Sequence, residues 1–394
     1  MPLALYLLAV AVFAMGTSEF MLAGLLPTLA VSFDVSVGAA GLLTSAYAIG
    51  MIVGAPTMAA LARRWPARTS LLGFVVLFAV MHGVGAVTTS FAVLLATRVV
   101  SALANAGFLA VALGTAASLV PADRKGRALA VLLAGTTMAT IVGVPGGAVL
   151  GTLLGWRATF WVIVLLCAPA ALGIAKVVPA AATGAARTSA AGVALRTEIA
   201  ELARPRLLLV MVLGALVNAA TFATFTFLAP IVTNTAGLGP WWVPVGLVLF
   251  GTGSFIGVTV AGRLADGRPA AVIGLGGVAL CLGWLALAVL AVNPAMLLLL
   301  VFVQGALSFA VGSTLIARVL YEADGAPTMA GSYATAALNV GAAGGPLVAA
   351  AALGARVGDL GPVWVSAVLV AVALLIALPL LRVIAPRTGG TGGG

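Results

Sequence analysis

Glu19 is a lone carboxyl in an otherwise uncharged, strongly apolar stretch that runs from Leu3 to about Ala30. Placing a charge at bilayer depth costs several kcal/mol, roughly 2.5–3.5 on insertion scales, so an acid kept there reads by default as a proton, ion or substrate site. Arg98 is a second ionisable group inside an apolar run. At the rise of an α-helix, Glu19 lies about 15 Å from the outer end of its helix and Arg98 about 10 Å from the outer end of its own. Similar depths let the two couple directly or through water. One reading is a proton-coupling site, in which protonation of Glu19 favours one facing state and deprotonation the other. The second reading is a permanent structural ion pair.

Other polar and aromatic residues in apolar runs sketch a pocket. Asn105 follows Arg98 by seven residues and shares its helical face. Asn218, Phe222 and Phe225 follow i, i+4, i+7 spacing and form one stripe. Tyr47 and Met51 share a face, and Gln304, Ser308 and Asn339 add hydrogen-bonding groups. An apolar, aromatic pocket with a few polar groups suits a neutral, drug-sized ligand. Taken singly, each of these residues also fits hydrogen bonding or packing between helices.

Other chemistries are poorly served. His82, near the outer end of its run, has no second His or clustered acid beside it, so no metal site is expected and it reads as an interfacial residue. Cys167 and Cys281 sit in separate apolar runs and read as packing groups. No nucleophile–base constellation is evident, which argues against an intramembrane enzyme. No phosphate-binding glycine loop appears, and no cofactor is expected. A passive channel fits poorly, because channels usually build their filters by oligomeric symmetry.

The elements that must hold these groups are membrane helices. Mean hydropathy is +1.25 and only 7% of residues are charged, against roughly 25% in soluble domains. At about 20 residues per crossing, the 394-residue chain divides into twelve runs: 3–30, 38–62, 69–87, 91–120, 127–152, 158–179, 206–232, 240–263, 270–292, 295–320, 328–354 and 360–385. The first run reads as a retained helix rather than a signal peptide. The polar stretch 180–205 divides the chain into 1–179 and 206–387, and 193–203 can form a short helix lying on the membrane surface. The glycine-rich stretch 388–394 reads as a disordered tail. With both termini in the cytoplasm, 16 of the 19 Lys and Arg, Arg318 among them, fall on the cytoplasmic side. Only Arg157 and Arg356 fall outside, a strong positive-inside bias for a plasma-membrane protein. The net charge of +10 is thus a topology signal, and without an aromatic-studded basic patch nucleic acid is not an expected partner.

The halves repeat. A shift of 203 residues places Pro27 on Pro230, Gly50 on Gly253, Gly54 on Gly257 and Trp161 on Trp364. A parallel repeat of six spans predicts two pseudo-symmetric six-helix bundles in an all-α membrane protein.

Gly16-Thr-Ser-Glu-Phe-Met-Leu-Ala-Gly-Leu-Leu-Pro27, Gly143-Val-Pro-Gly-Gly147 and Leu154-Gly-Trp-Arg-Ala-Thr-Phe-Trp161 resemble the drug:proton antiporter branch of the major facilitator superfamily. The likeness is strongest to actinobacterial chloramphenicol efflux (resistance) proteins and covers nearly the whole chain. It implies a monomeric, proton-coupled exporter of a neutral drug, chloramphenicol first; the alternative is a sugar or nucleoside exporter of the same branch. It implies that Arg98 takes part in proton transfer, although Ser101 and Ala102 stand where the family usually has Gln and Gly. Gly54 to Arg68 resembles the family's gating loop, with Arg63, Arg64 and Arg68 as its cations and Arg63 where Asp is usual. The second copy carries Arg263, Asp266 and Arg268. The same loops also fit simple topology signalling. Gly143, Pro145 and Gly147 match the antiporter motif, which implies a bendable fifth helix at the rocking interface of the bundles.

Overall fold

The computed structural model describes residues 2–62, 65–121, 124–178, 201–264, 269–323, 325–326, 329–353 and 358–380. Among them, twelve helical stretches are long and apolar enough to cross a membrane. In chain order, spans 1 to 6 are Leu3–Gly24, Val37–Ala55, Ala67–Val87, Phe91–Ala116, Arg127–Leu154 and Trp156–Val177. Spans 7 to 12 are Pro205–Thr226, Trp242–Leu264, Pro269–Leu290, Pro294–Glu322, Ala330–Leu353 and Gly358–Leu380. They follow the expected runs to within a few residues. The stretches 180–200 and 388–394 lie outside the described residues, as does most of the surface helix expected at 193–203; Glu201–Ala203 forms a single 3₁₀ turn.

Local chemistry sets several ends and breaks. Ser90 and Asn293 cap spans 4 and 10, accepting bonds from Val93 N and from Ala295 and Met296 N, which satisfies amides a helix start leaves open. The chain of span 1 is α-helical over Leu3–Phe20, tightens to a 3₁₀ turn at Met21–Gly24, and resumes over Leu26–Phe33. Span 5 widens to a π-turn over Ala139–Gly143, immediately before Pro145. Proline has no N–H and crowds the carbonyl four residues earlier, and a wider turn relieves that conflict.

Arg318, near the expected cytoplasmic end of the run 295–320, lies in the last turns of span 10, where its guanidinium is mostly buried and pairs with Glu322 at 2.5 Å. The apolar stem and the i,i+4 carboxylate let the helix continue past the cation.

The repeat is visible in the packing. Gly50 lies against the Val99 carbonyl and Gly54 against Leu103, fitting span 2 onto span 4. Gly253 lies against the Phe302 carbonyl and Gly257 against Ala306, fitting span 8 onto span 10. All four pairs map onto one another by the same 203-residue shift. Small residues let these backbones approach as larger ones would not.

Two six-helix bundles result, and they meet near the end of the molecule that carries the 34–36, 88–90 and 236–241 turns. There Gly38 abuts Ala350, Gly41 abuts the Phe227 ring, and Gly24 abuts Leu247. Slightly deeper, Ser45 Oγ donates to the Ala343 carbonyl at 2.8 Å, and Gly251 lies against the Thr140 carbonyl. These contacts form a seal of small side chains across the bundles at that end.

Candidate functional site

The last turn of the first helix, before its 3₁₀ break, carries Ser18, Glu19 and Phe20 in succession. Each faces a different neighbour. Ser18 meets Arg98 of span 4: Nη1 donates to Ser18 Oγ at 2.8 Å and Nη2 to the Ser18 carbonyl at 2.9 Å. The guanidinium lies 4.3 Å above the Tyr47 ring, a cation–π contact of about 2 kcal/mol when desolvated. Arg98 is only 1% exposed, and its Nε has no partner.

Glu19 is partly buried beside this group. Arg98 and Tyr47 are its electrostatic neighbours, yet the ion pairs found among the described residues, Arg204–Glu201 and Arg318–Glu322, do not include it. The acid and the arginine are side by side without a direct bridge.

The structure corrects the placement of His82. It is 1% exposed and sits inside the first bundle, not at an interface with the headgroups. Its Nε2 is 2.6 Å from Ser18 Oγ and its Nδ1 is 2.8 Å from the Phe78 carbonyl. The ring lies between Phe78 and Phe160, at centroid distances of 4.3 and 5.6 Å. Periodicity alone had no means of finding it, because its partner Ser18 is 64 residues away and a lone histidine in an apolar run carries no spacing signal.

Phe20 points to the other side, into a cluster of five rings. Phe20–Phe222, Phe20–Phe225, Phe222–Phe225, Phe225–Phe250 and Phe250–Phe309 have centroid separations of 5.7, 6.5, 6.1, 4.8 and 6.1 Å. With Thr140, Val144, Thr221, Leu247, Gly251 and Ser254 they line a cavity between the bundles. The cavity is almost filled by the rings, which are folded onto one another and leave free space of only about 20 Å³, on the order of a single water.

Of the residues expected in a binding pocket, Phe222 and Phe225 line this cavity. Tyr47 lies under Arg98 instead, and Asn105 Nδ2 contacts Met51 Sδ at 3.6 Å. Asn218 donates to the Leu338 carbonyl at 2.7 Å and Asn339 to the Thr335 carbonyl at 2.9 Å. Gln304 is fully buried, donating to the Leu280 carbonyl at 3.2 Å. These amides satisfy backbone carbonyls or pack within a bundle. Phe20, Phe250 and Phe309 were not singled out from the sequence; their common wall arises from four spans and leaves no local periodicity.

Among the expected gating residues, Gly143 faces Thr17 of span 1, and Gly147 faces Met21 and Thr159. Both thus pack inside their own bundle, while Thr140 reaches Gly251 of span 8 in the other bundle. Pro145 is buried just after the π-turn. Arg263 is exposed in the last turn of span 8, and Arg68 lies near the start of span 3 beside a surface groove with Thr69, Leu72 and Val76. The side chains of Arg63, Arg64, Asp266 and Arg268 lie outside the described residues.

The pseudo-symmetry separates two chemistries. At the 203-residue shift Glu19 corresponds to Phe222, Tyr47 to Phe250 and Arg98 to Val301. At these places the first bundle carries the ionisable groups, and the second carries rings at two of the three.

Comparison with known proteins agrees with this architecture. The model of the Major Facilitator Superfamily matches residues 8–346. The chain is 70% identical over 384 residues to the chloramphenicol resistance protein of Streptomyces lividans, covering 98% of this chain and 97% of that protein. It is 32% identical over 369 residues to the inner membrane transport protein YdhP of Escherichia coli K12, covering 94% and 93% of the two chains. The crystal structure of a bacterial homologue of the human lysosomal transporter Spinster, inward-facing and unoccupied, superimposes with a TM-score of 0.74 at 18% identity, over 97% of this chain and 95% of that one. Twelve spans in two repeated bundles, a family match over most of the length and full-length relatives lead to one conclusion: this chain is a multi-pass membrane transporter belonging to the major facilitator superfamily.

Proposed function

We propose that this protein exports neutral, ring-bearing drugs from the cell in exchange for protons, with chloramphenicol as its first substrate. The observation that carries the drug assignment is the 70% identity, over nearly the whole length, to a protein named for chloramphenicol resistance. The site supports it chemically. A cluster of phenylalanines with Thr140, Thr221 and Ser254 at its edge offers ring stacking plus a few hydroxyls, the pattern an uncharged aromatic ligand needs.

Glu19 is the coupling acid in this reading, with Arg98 as the cation that responds to its charge. Both termini are cytoplasmic, as the distribution of Lys and Arg favours. The seal of small residues then lies on the outer side. The two units, 1–179 and 206–387, rock about the site, and one chain supplies both, so a monomer suffices.

Resistance arises by export rather than by chemistry on the drug. Ser18 and His82 are spaced like a nucleophile and its base, but Ser18 is fully buried and its oxygen already accepts from Arg98.

Cells expressing the protein should grow at chloramphenicol concentrations that stop control cells, and a protonophore should remove the difference. Drug recovered from the medium should be chemically intact. Unchanged intracellular chloramphenicol would refute the substrate assignment and turn attention to sugars and nucleosides.

A further inference from the structure

Arg98 has two acceptors within its neighbourhood, and in this structure it uses only one of them. Its two terminal nitrogens are committed to Ser18, while Nε is left without a partner and Glu19 without an ion pair. In a buried setting an unbridged acid beside a guanidinium requires that something else hold the guanidinium. Which groups can donate and which can only accept identifies what does.

The Phe78 carbonyl can only accept, so the proton on His82 resides at Nδ1. Nε2 of the neutral ring is then a lone pair, and Ser18 O–H donates to it at 2.6 Å. With its own hydrogen turned toward His82, Ser18 Oγ presents its lone pairs to Arg98, which can only donate. Every hydrogen in the line Arg98 to Ser18 to His82 to Phe78 thus has one direction. A protonated His82 would reverse the bond, leaving Ser18 Oγ accepting from both sides and its hydrogen without this acceptor. The titratable and charged groups facing this line are Glu19, Tyr47 and Arg98, the last two stacked on each other.

We propose that His82 and Ser18 pin the Arg98 guanidinium away from the Glu19 carboxylate, so that Glu19 can take up and release its proton instead of being held as a permanent ion pair. His82 is a positioning residue: it touches neither the proton acceptor nor the drug, and acts by orienting Ser18. When Arg98 leaves Ser18 it can engage ionised Glu19, and its return frees the acid for the next proton. The proposal rests on Glu19 being the coupling acid.

The test is drug–proton exchange in proteoliposomes, followed with a pH-sensitive dye across a range of pH, for Ser18→Ala, Ser18→Thr, His82→Phe and Glu19→Gln. Ser18→Ala removes the hydroxyl half of the pin and leaves only the bond to the Ser18 carbonyl, and His82→Phe keeps the stacked ring while removing the acceptor. In both, Arg98 should fall onto Glu19, and the midpoint of the pH profile should move about 1–3 units to lower pH, the size of effect an adjacent opposite charge exerts on a carboxyl. Ser18→Thr keeps the hydroxyl and should restore the wild-type midpoint. Size-exclusion behaviour and thermal unfolding of each variant report folding. If folded Ser18→Ala and His82→Phe keep the wild-type midpoint while Glu19→Gln is inactive, the pin is wrong and the coupling role stands. If Ser18→Ala and His82→Phe both fail to fold, the line is structural only and the proposal falls. Normal exchange by Glu19→Gln overturns the coupling role itself, and the pin with it.

Discussion

Three consecutive side chains, Ser18, Glu19 and Phe20, meet a guanidinium line, an unbridged acid site and a cluster of rings. If Glu19 is the coupling acid, Glu19→Gln should abolish proton-driven export while the protein still folds, because the amide has the shape of the protonated acid. Drug-dependent proton release in proteoliposomes, with yield and thermal stability as controls, checks this. Phe225 contacts Phe20, Phe222 and Phe250, so Phe225→Ala removes ring contacts of about 0.5–1.5 kcal/mol each. If the drug ring takes their place on binding, equilibrium binding of labelled chloramphenicol should weaken about tenfold. Unaltered affinity would remove the ring cluster from the binding site. Glu19 and Arg98 stood out in the sequence because charge in an apolar run is conspicuous. His82 and the wall of Phe20, Phe250 and Phe309 did not, since their meaning lies in partners far away along the chain.

The spans were legible almost to their ends, because a bilayer demands long apolar helices and turn residues punctuate them. The distortions inside them were less so: Pro145 announced a bend, but the π-turn at Ala139–Gly143 depends on what spans 1 and 8 press against it. Glycines illustrate the same limit. Gly253 and Gly146 are equally plain in sequence, yet a Cβ at Gly253 would overlap the Phe302 carbonyl, while Gly146 has nothing within 4 Å. Gly253→Val should therefore destabilise the protein by about 1–3 kcal/mol or more, read as a lower unfolding temperature in detergent and reduced yield. Gly146→Ala should leave both unchanged. Equal loss in the two variants would show that motif membership, not local space, sets the cost. The direction in which Gly143 and Gly147 point, into their own bundle, was hidden from the motif.

At the scale of the molecule, the repeat and the cationic bias were both readable, since each is a property of the chain as a line of residues. The seal was not, because it joins Gly38 to Ala350 and Ser45 to Ala343, pairs that only a folded bundle brings together. In a background lacking Cys167 and Cys281, single cysteines at Ser36 and Ala203, both exposed, should react with a membrane-impermeant maleimide from opposite faces of intact cells, Ser36 from outside. Labelling of both from one face would reject twelve crossings, and labelling of Ala203 alone from outside would invert the orientation. The division of labour between the repeats has a consequence for adaptation. Glu19 and Arg98 sit in one bundle, whereas Phe222, Phe225, Phe250 and Phe309 come from the other. If the ring cavity holds the cargo and Glu19 the proton, a lineage under pressure from a new antibiotic can reshape most of the cargo compartment by mutating the second half, leaving the power supply in the first half untouched.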